Sequence, residues 1–345
     1  MANNFHQSVI DPLAQTSRAL RTLFATRRFE GSIGRDSATD MENWRMRSAM
    51  DLHPRMGRAI SRLAVNGRNG GIPTTDFAQT SNFVRPEEID SCVSALDADG
   101  VYVFKNRLPA EMVGRMLESA QKAPASPRGK NASTEPFPRG NPTVGRYDID
   151  ENATMVSPDM QDYASDPALA LIAAKYLKQP VIQDQTALWW TTPQGSADAS
   201  INAWLFHQDR DRLSFVKFFT YLTDVGPDNG PHTVIKGTHR KIPRALASDG
   251  RKDDELVRRL GLWDKVESQM GPAGTMIAVD TIGLHKGQPP IHGDRCVIQV
   301  EYATSLFGAH PDFPDFQPSE LARYRYQQMP QILQRWKQSI SSGIN

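Results

Sequence analysis

Residues 204–240 read WLFHQDRDRLSFVKFFTYLTDVGPDNGPHTVIKGTHR, and this stretch decides the fold. From Ser214 to Val225 the side chains are largely β-branched and aromatic, GPDNGP supplies turn chemistry, and HTVIKG resumes an extended run. Three further segments share this character: PVIQDQTALWWTT (180–192), GTMIAVD (274–280) and RCVIQVEYATS (295–305). No helical pattern alternates with them. The strands are therefore expected to pair antiparallel and to close or double on themselves, giving a mainly β, jelly-roll or cupin-like core with flanking helices.

The rest of the chain fits around that core. With 345 residues and 39% hydrophobic side chains, it can bury one large domain with appendages. A formal net charge of +1 provides no global field for nucleic acid, yet residues 1–70 carry eleven Arg, no Lys and six acidic groups. The two cysteines, Cys92 and Cys296, lie far apart in no metal-type spacing, as expected in a reducing compartment. There is no membrane-length apolar run and no apolar leader, so a cytoplasmic location is expected.

Three parts are predicted. Residues 1–80 form an Arg-rich helical arm: Asp11-Pro12 opens one helix, Trp44, Met50, Met56, Ile60 and Leu63 mark a second stretch interrupted at Pro54, and residues 66–75 make a linker. The arm is expected to pack on the main domain or on a second subunit in a homodimer; peripheral membrane contact is the competing expectation. Residues 85–316 hold the main domain, entered through a helix, the strand Val101 to Phe104, and a helix opened by Pro109. Residues 122–146 follow as a loop rich in Pro, Gly and Ser with Arg128, Lys130, Arg139 and Arg146; these are ordinary solvated loop charges or, as the competing expectation, a cover over the pocket that meets an anionic group. Asp166-Pro167 starts another helix, and residues 317–345 carry Met329, Ile332, Leu333, Trp336 and Ile340 at helical spacing, a core-packing stripe.

In an extended segment residues i and i+2 project to one side, so His207 and Asp209 both face the barrel interior. A histidine and an aspartate at that spacing alone are more often a satisfied core histidine than a metal site, and a third ligand is needed. His285 follows the strand GTMIAVD, whereas His292 sits on a loop after Pro289-Pro290; His232 and His239 fall in turns, and His310 lies beyond the strands. Two histidines and a carboxylate form the facial triad of non-haem Fe(II) oxygenases, leaving coordination positions open for chemistry. Arg295, opening the last strand, is a planar and permanently charged fork for the far carboxylate of a 2-oxo acid.

FHQDRDRLSFVKFFTYLTDVGPDNGPHTVIKGTHR followed by GPAGTMIAVDTIGLHKGQPPIHGDR resembles the phytanoyl-CoA dioxygenase family of Fe(II)/2-oxoglutarate oxygenases. The likeness runs over roughly residues 85–310, through the H-x-D, the L-T-D strand end, the N-G-P turn, the G-T-H loop and the distal His and Arg. It implies a double-stranded β-helix, Fe(II) on His207, Asp209 and His285, and 2-oxoglutarate anchored by Arg295, with His239 structural. Where the family often has a serine two residues after the distal histidine, this chain has Gly287, so a hydroxyl such as Thr275 or Thr220 is expected to stand in. Because Asp209 is present, the resemblance implies hydroxylation or another oxidation of an unactivated C–H bond, with O2 consumed and succinate and CO2 released, not halogenation.

The substrate is expected to be a small or carrier-bound molecule, with Trp189, Trp190 and Trp204 as candidate pocket walls, only one of the adjacent pair facing inward. Two other classes remain compatible with these residues. A barrel that only binds would be expected to lack a ligand or the arginine. A zinc hydrolase using the same three ligands would need a general base, and Glu301 is the only acid on the strand after Arg295.

Overall fold

The computed structural model describes residues 12–31, 38–51, 53–65, 70–130, 132–193, 203–308 and 313–342. His310 and residues 66–69 of the expected linker lie outside them.

Among the described residues ten strands build two antiparallel sheets: β1 (Val101–Val103), β2 (Ala125–Pro127), β3 (Arg146–Ile149), β4 (Ile182–Thr191), β5 (Phe215–Tyr221), β6 (His232–Ile235), β7 (Val266–Gln269), β8 (Met276–Val279), β9 (His285–Gly287) and β10 (Arg295–Ala303). The large sheet runs β1-β8-β5-β10-β4-β3-β2 and the small one β7-β6-β9. The order jumps along the chain, as expected when a β-ribbon is wound into a double-stranded β-helix. The core is a jelly roll with helices outside it.

Side-chain alternation sorts the large sheet into two faces. One face carries Val216, Phe218, Cys296, Ile298, Val300 and Tyr302 into the main apolar cluster, against the helices Pro86–Ala98 and Pro167–Leu177. The second helix is apolar nearly all round, as a helix covered on every side must be. Asp166 caps its N-terminus by accepting from the Ala168 and Leu169 amides. The C-terminal stripe enters the same cluster: Met329, Ile332, Leu333, Trp336 and Ile340 are all buried there.

The expected unpatterned loop at 122–146 is bounded by β2 and β3, which extend the edge of the large sheet. Edge pairing is made by the backbone, so Pro127 and a polar composition do not prevent it.

The arm's helices, Pro12–Gly31, Asp40–Ala49 and Met56–Ala64, share an apolar cluster with the barrel: Phe29, Met46 and Ile60 pack with Ile182, Leu213 and Leu306. Gly57 allows the closest approach, since a Cβ there would stand 2.0 Å from the Leu213 carbonyl oxygen. Arg58 reaches across to Asp280 at 2.5 Å, and buried Arg210 pairs with Asp51 while donating to the Arg47 carbonyl at 3.0 Å. The arm thus braces the segment between the H-x-D motif and β5. No described helix is long and apolar enough to cross a membrane.

Candidate active site

The H-x-D segment is fixed by backbone bonds to the turn before β9. The His207 amide donates to the His285 carbonyl at 2.9 Å, the return bond is 3.0 Å, and the Asp209 amide donates to the Thr281 carbonyl at 2.8 Å. That pairing brings His207, Asp209 and His285 together, with one ligand atom from each inside a 4.8 Å cluster. Nε2 of His207 lies 3.7 Å from Oδ1 of Asp209, and Nε2 of His285 lies 3.5 Å from Oδ2.

Hydrogen bonding sets the tautomers. Nδ1 of His207 stands 2.9 Å from the Leu205 carbonyl oxygen, and Nδ1 of His285 stands 3.0 Å from that of Gly283. A carbonyl only accepts, so each Nδ1 carries the proton and each Nε2 keeps its lone pair for the space beside Asp209. Burial, with His285 adding to it, pushes His207 down to about 3, and burial also lowers His285. Both rings are neutral donors at physiological pH.

Burial alone would raise the Asp209 carboxyl, but the Lys217 ammonium beside it holds it well below the usual carboxylate range. Lys217 Nζ donates to Asp209 Oδ2 at 2.8 Å and lies 3.2 Å from Glu301 Oε2, with only 7% of its side chain exposed. Burial pushes Glu301 up to about 8 against the pull of Lys217.

Arg295 is 5% exposed, donates from Nη2 to Thr191 Oγ1 at 3.2 Å, and its buried Nε has no hydrogen-bond partner among the described residues. Burial lowers its pKa. A guanidinium this poorly matched inside a barrel fits an incoming anion. The donor set beside it, two neutral imidazoles and one carboxylate, fits a divalent metal of the Fe(II) type.

These groups open onto a cavity of about 1180 Å³, lined further by Trp189, Phe219, His232, Gln299 and the guanidiniums of Arg47, Arg128, Arg146 and Arg251. Arg146 stacks on the Trp189 ring at 4.3 Å while its Nε donates to Asp148 at 2.7 Å.

Several expectations need correction. Trp190 faces the helices, stacked on Phe137 at 4.6 Å with its indole donating to the Ala120 carbonyl, because alternation sends it away from Trp189. Trp204 is buried outside the cavity lining. Thr220 bonds Tyr163 on the helix side and Thr275 bonds the Pro272 carbonyl; the hydroxyl beside Arg295 is Thr191, its cross-strand neighbour. His232 begins β6, with its ring 5.5 Å from His285 and 4.8 Å from Phe219. His239 stays in a turn, its ring against the Asp97 carbonyl. Sequence reading missed Lys217, His232 and Arg251; of these only Lys217 left a signal, a lone charge inside SFVKFFTY.

Three solved structures are similar to parts of this chain. EctD from S. alaskensis, crystallised with 2-oxoglutarate and 5-hydroxyectoine, is 21% identical over 68% of this chain and 82% of its own, at a TM-score of 0.48. The alpha-ketoglutarate-dependent epimerase SnoN from nogalamycin biosynthesis is 15% identical, with coverage of 63% and 83% and a TM-score of 0.44. HygX from Streptomyces hygroscopicus, with nickel, 2-oxoglutarate and hygromycin B bound, is 15% identical, with coverage of 67% and 93% and a TM-score of 0.45. No curated protein matches the sequence. The sequence profile described as Phytanoyl-CoA dioxygenase (PhyH) matches residues 96–280, which is more than half of the 345 residues and includes the H-x-D motif. The chain belongs to the phytanoyl-CoA dioxygenase family.

Proposed function

We propose that the protein is an Fe(II)- and 2-oxoglutarate-dependent oxygenase that hydroxylates, or otherwise oxidises, an unactivated C–H bond of a polar small molecule or a carrier-bound group. The observation that carries this reading is the convergence of His207 Nε2, Asp209 and His285 Nε2 on one wall of a cavity that also holds the under-bonded Arg295. When bound, Fe(II) with 2-oxoglutarate and O2 supplies an oxidant able to break such a bond, releasing succinate and CO2.

The chain's own residues do the positioning. His207 and His285 present lone pairs fixed by their Nδ1 bonds, and Asp209 supplies the anion. Arg295 grips the far carboxylate of 2-oxoglutarate beside Thr191, and Gly287 keeps that corner open, since a Cβ there would lie 3.3 Å from Arg295 Nη2. Arg251, on the cavity wall, has no hydrogen-bond or ion-pair partner among the described residues. Its charge favours a substrate bearing a carboxylate, phosphate or sulfate. Zinc hydrolysis is disfavoured because Glu301, the one acid on β10, is engaged by Lys217 instead of free to activate water.

Anaerobic titration with Fe(II) and 2-oxoglutarate tests the reading. A weak visible metal-to-ligand charge-transfer band is expected, followed in air by succinate formation. A silent spectrum with no succinate overturns it.

A further inference from the structure

Lys217 is an anomaly in β5. It is the single charged residue of PheValLysPhePheThrTyr, the strand is buried throughout, and its ammonium ends on a carboxylate already assigned to the metal. Asp209 has two oxygens, and the structure treats them differently. Each oxygen faces one imidazole, Oδ1 at 3.7 Å from His207 Nε2 and Oδ2 at 3.5 Å from His285 Nε2, but only Oδ2 also accepts from Lys217, at 2.8 Å. Glu301, 3.2 Å behind the ammonium and 3% exposed, holds Lys217 in place from the other side.

We propose that Lys217 is a positioning residue that keeps Oδ2 of Asp209 away from the metal, so that the carboxylate binds through Oδ1 alone. The inference rests on the oxygenase reading above and goes beyond it, because that reading needs only a carboxylate at this place. A carboxylate left free to offer both oxygens would take one of the three positions that the triad leaves open, and with 2-oxoglutarate on the other two none would remain for O2. A cation bonded to the ligand also weakens its attraction for the metal. Lys217 therefore trades metal affinity for open positions.

This gives an unusual sign. Loss of a merely structural lysine would loosen the site and weaken metal binding. Loss of this one strengthens it. In anaerobic calorimetry on the full chain, Lys217→Met is expected to bind Fe(II) at least about tenfold more tightly than wild type. It should still bind 2-oxoglutarate, and in air it should form succinate more slowly than wild type. Lys217→Arg, which keeps a cation on Oδ2, is expected to return Fe(II) affinity to within about threefold of wild type. If Lys217→Met fails to fold because Glu301 is stranded, Lys217→Met/Glu301→Gln removes both charges and is expected to show the same direction. Fe(II) affinity equal to or weaker than wild type in the folded methionine variants would overturn the inference alone. A wild type that binds no Fe(II) would overturn the oxygenase reading and this inference with it.

Discussion

The two faces of the large sheet are made from the same strands and differ by a one-residue step. Along β5, Val216 and Phe218 enter the helix-packed core, whereas Lys217 and Phe219 line the cavity. Along β10, Ile298 and Val300 do the former, and Arg295 and Gln299 the latter. The helix face is apolar and held by close packing; the cavity face carries charges held in place by single bonds or aimed at open space. Stability and chemistry are thus separated by alternation, and substitutions on the two faces should fail in different ways.

The largest effect belongs to the metal ligands. His207→Ala, Asp209→Ala and His285→Ala are each expected to abolish 2-oxoglutarate turnover, with apo melting temperature equal to wild type or higher for the two histidine variants and lower for Asp209→Ala, which strands the buried Lys217 ammonium. His239→Ala, in a turn outside the cavity, should keep its iron. Iron stoichiometry beside a thermal melt checks both halves; a ligand variant that retains stoichiometric iron breaks the assignment.

Arg295 comes next. Removing one partner of a buried charge pair costs roughly 2 to 5 kcal/mol, about 30-fold to a few thousand-fold in affinity. Arg295→Ala is expected to weaken 2-oxoglutarate binding by that amount, and Arg295→Lys by less, because an ammonium cannot make the two-pronged contact. Fe(II) affinity should stay nearly unchanged. Calorimetry on the iron-loaded protein decides it, and an unaltered affinity for 2-oxoglutarate would place the anchor elsewhere.

Trp189 and Trp190 sharpen the comparison most directly, being neighbours on opposite faces. Trp190→Ala deletes a buried ring stacked on Phe137 and is expected to cost about 3 kcal/mol of folding stability while the protein that remains folded binds Fe(II) normally. Trp189→Ala should cost less, since its ring borders open space under Arg146, and should disturb the cavity wall instead. Denaturant midpoints and iron binding, read together, would erase the distinction if both variants lost both properties equally.

How much of this was legible in the sequence follows the same division. Strand identity was visible because β-branched and aromatic runs are local, and His207 with Asp209 was visible because a two-residue spacing is local too. Which of Trp189 and Trp190 faces inward was not, because alternation gives the contrast without its sign. Thr191 as the hydroxyl beside Arg295 depends on the β4–β10 register, a pairing 104 residues apart in sequence. β2 and β3 escaped notice because backbone bonds at a sheet edge ask little of side chains. Lys217 shows in the sequence only as a lone charge inside SFVKFFTY; its 2.8 Å approach to Asp209, made across the fold, is what gives it a role.

The smallest effect is expected at the rim. Arg251 lines the cavity among the other guanidiniums, and burial lowers its pKa only in part, because its side chain still meets solvent. A partly solvated charge gives a modest attraction that salt screens. Arg251→Gln should leave the folding midpoint within about 0.5 kcal/mol of wild type. Inorganic sulfate, titrated against tryptophan fluorescence of the protein loaded with Fe(II) and 2-oxoglutarate, is expected to bind about three- to tenfold more weakly in the variant at low ionic strength. Raising sodium chloride toward about 1 M, where the screening length falls to about 3 Å, should remove most of the difference. Equal sulfate affinity at low salt would show that the rim charge does not recruit anions and that the substrate's charge, if it has one, is met deeper in the barrel.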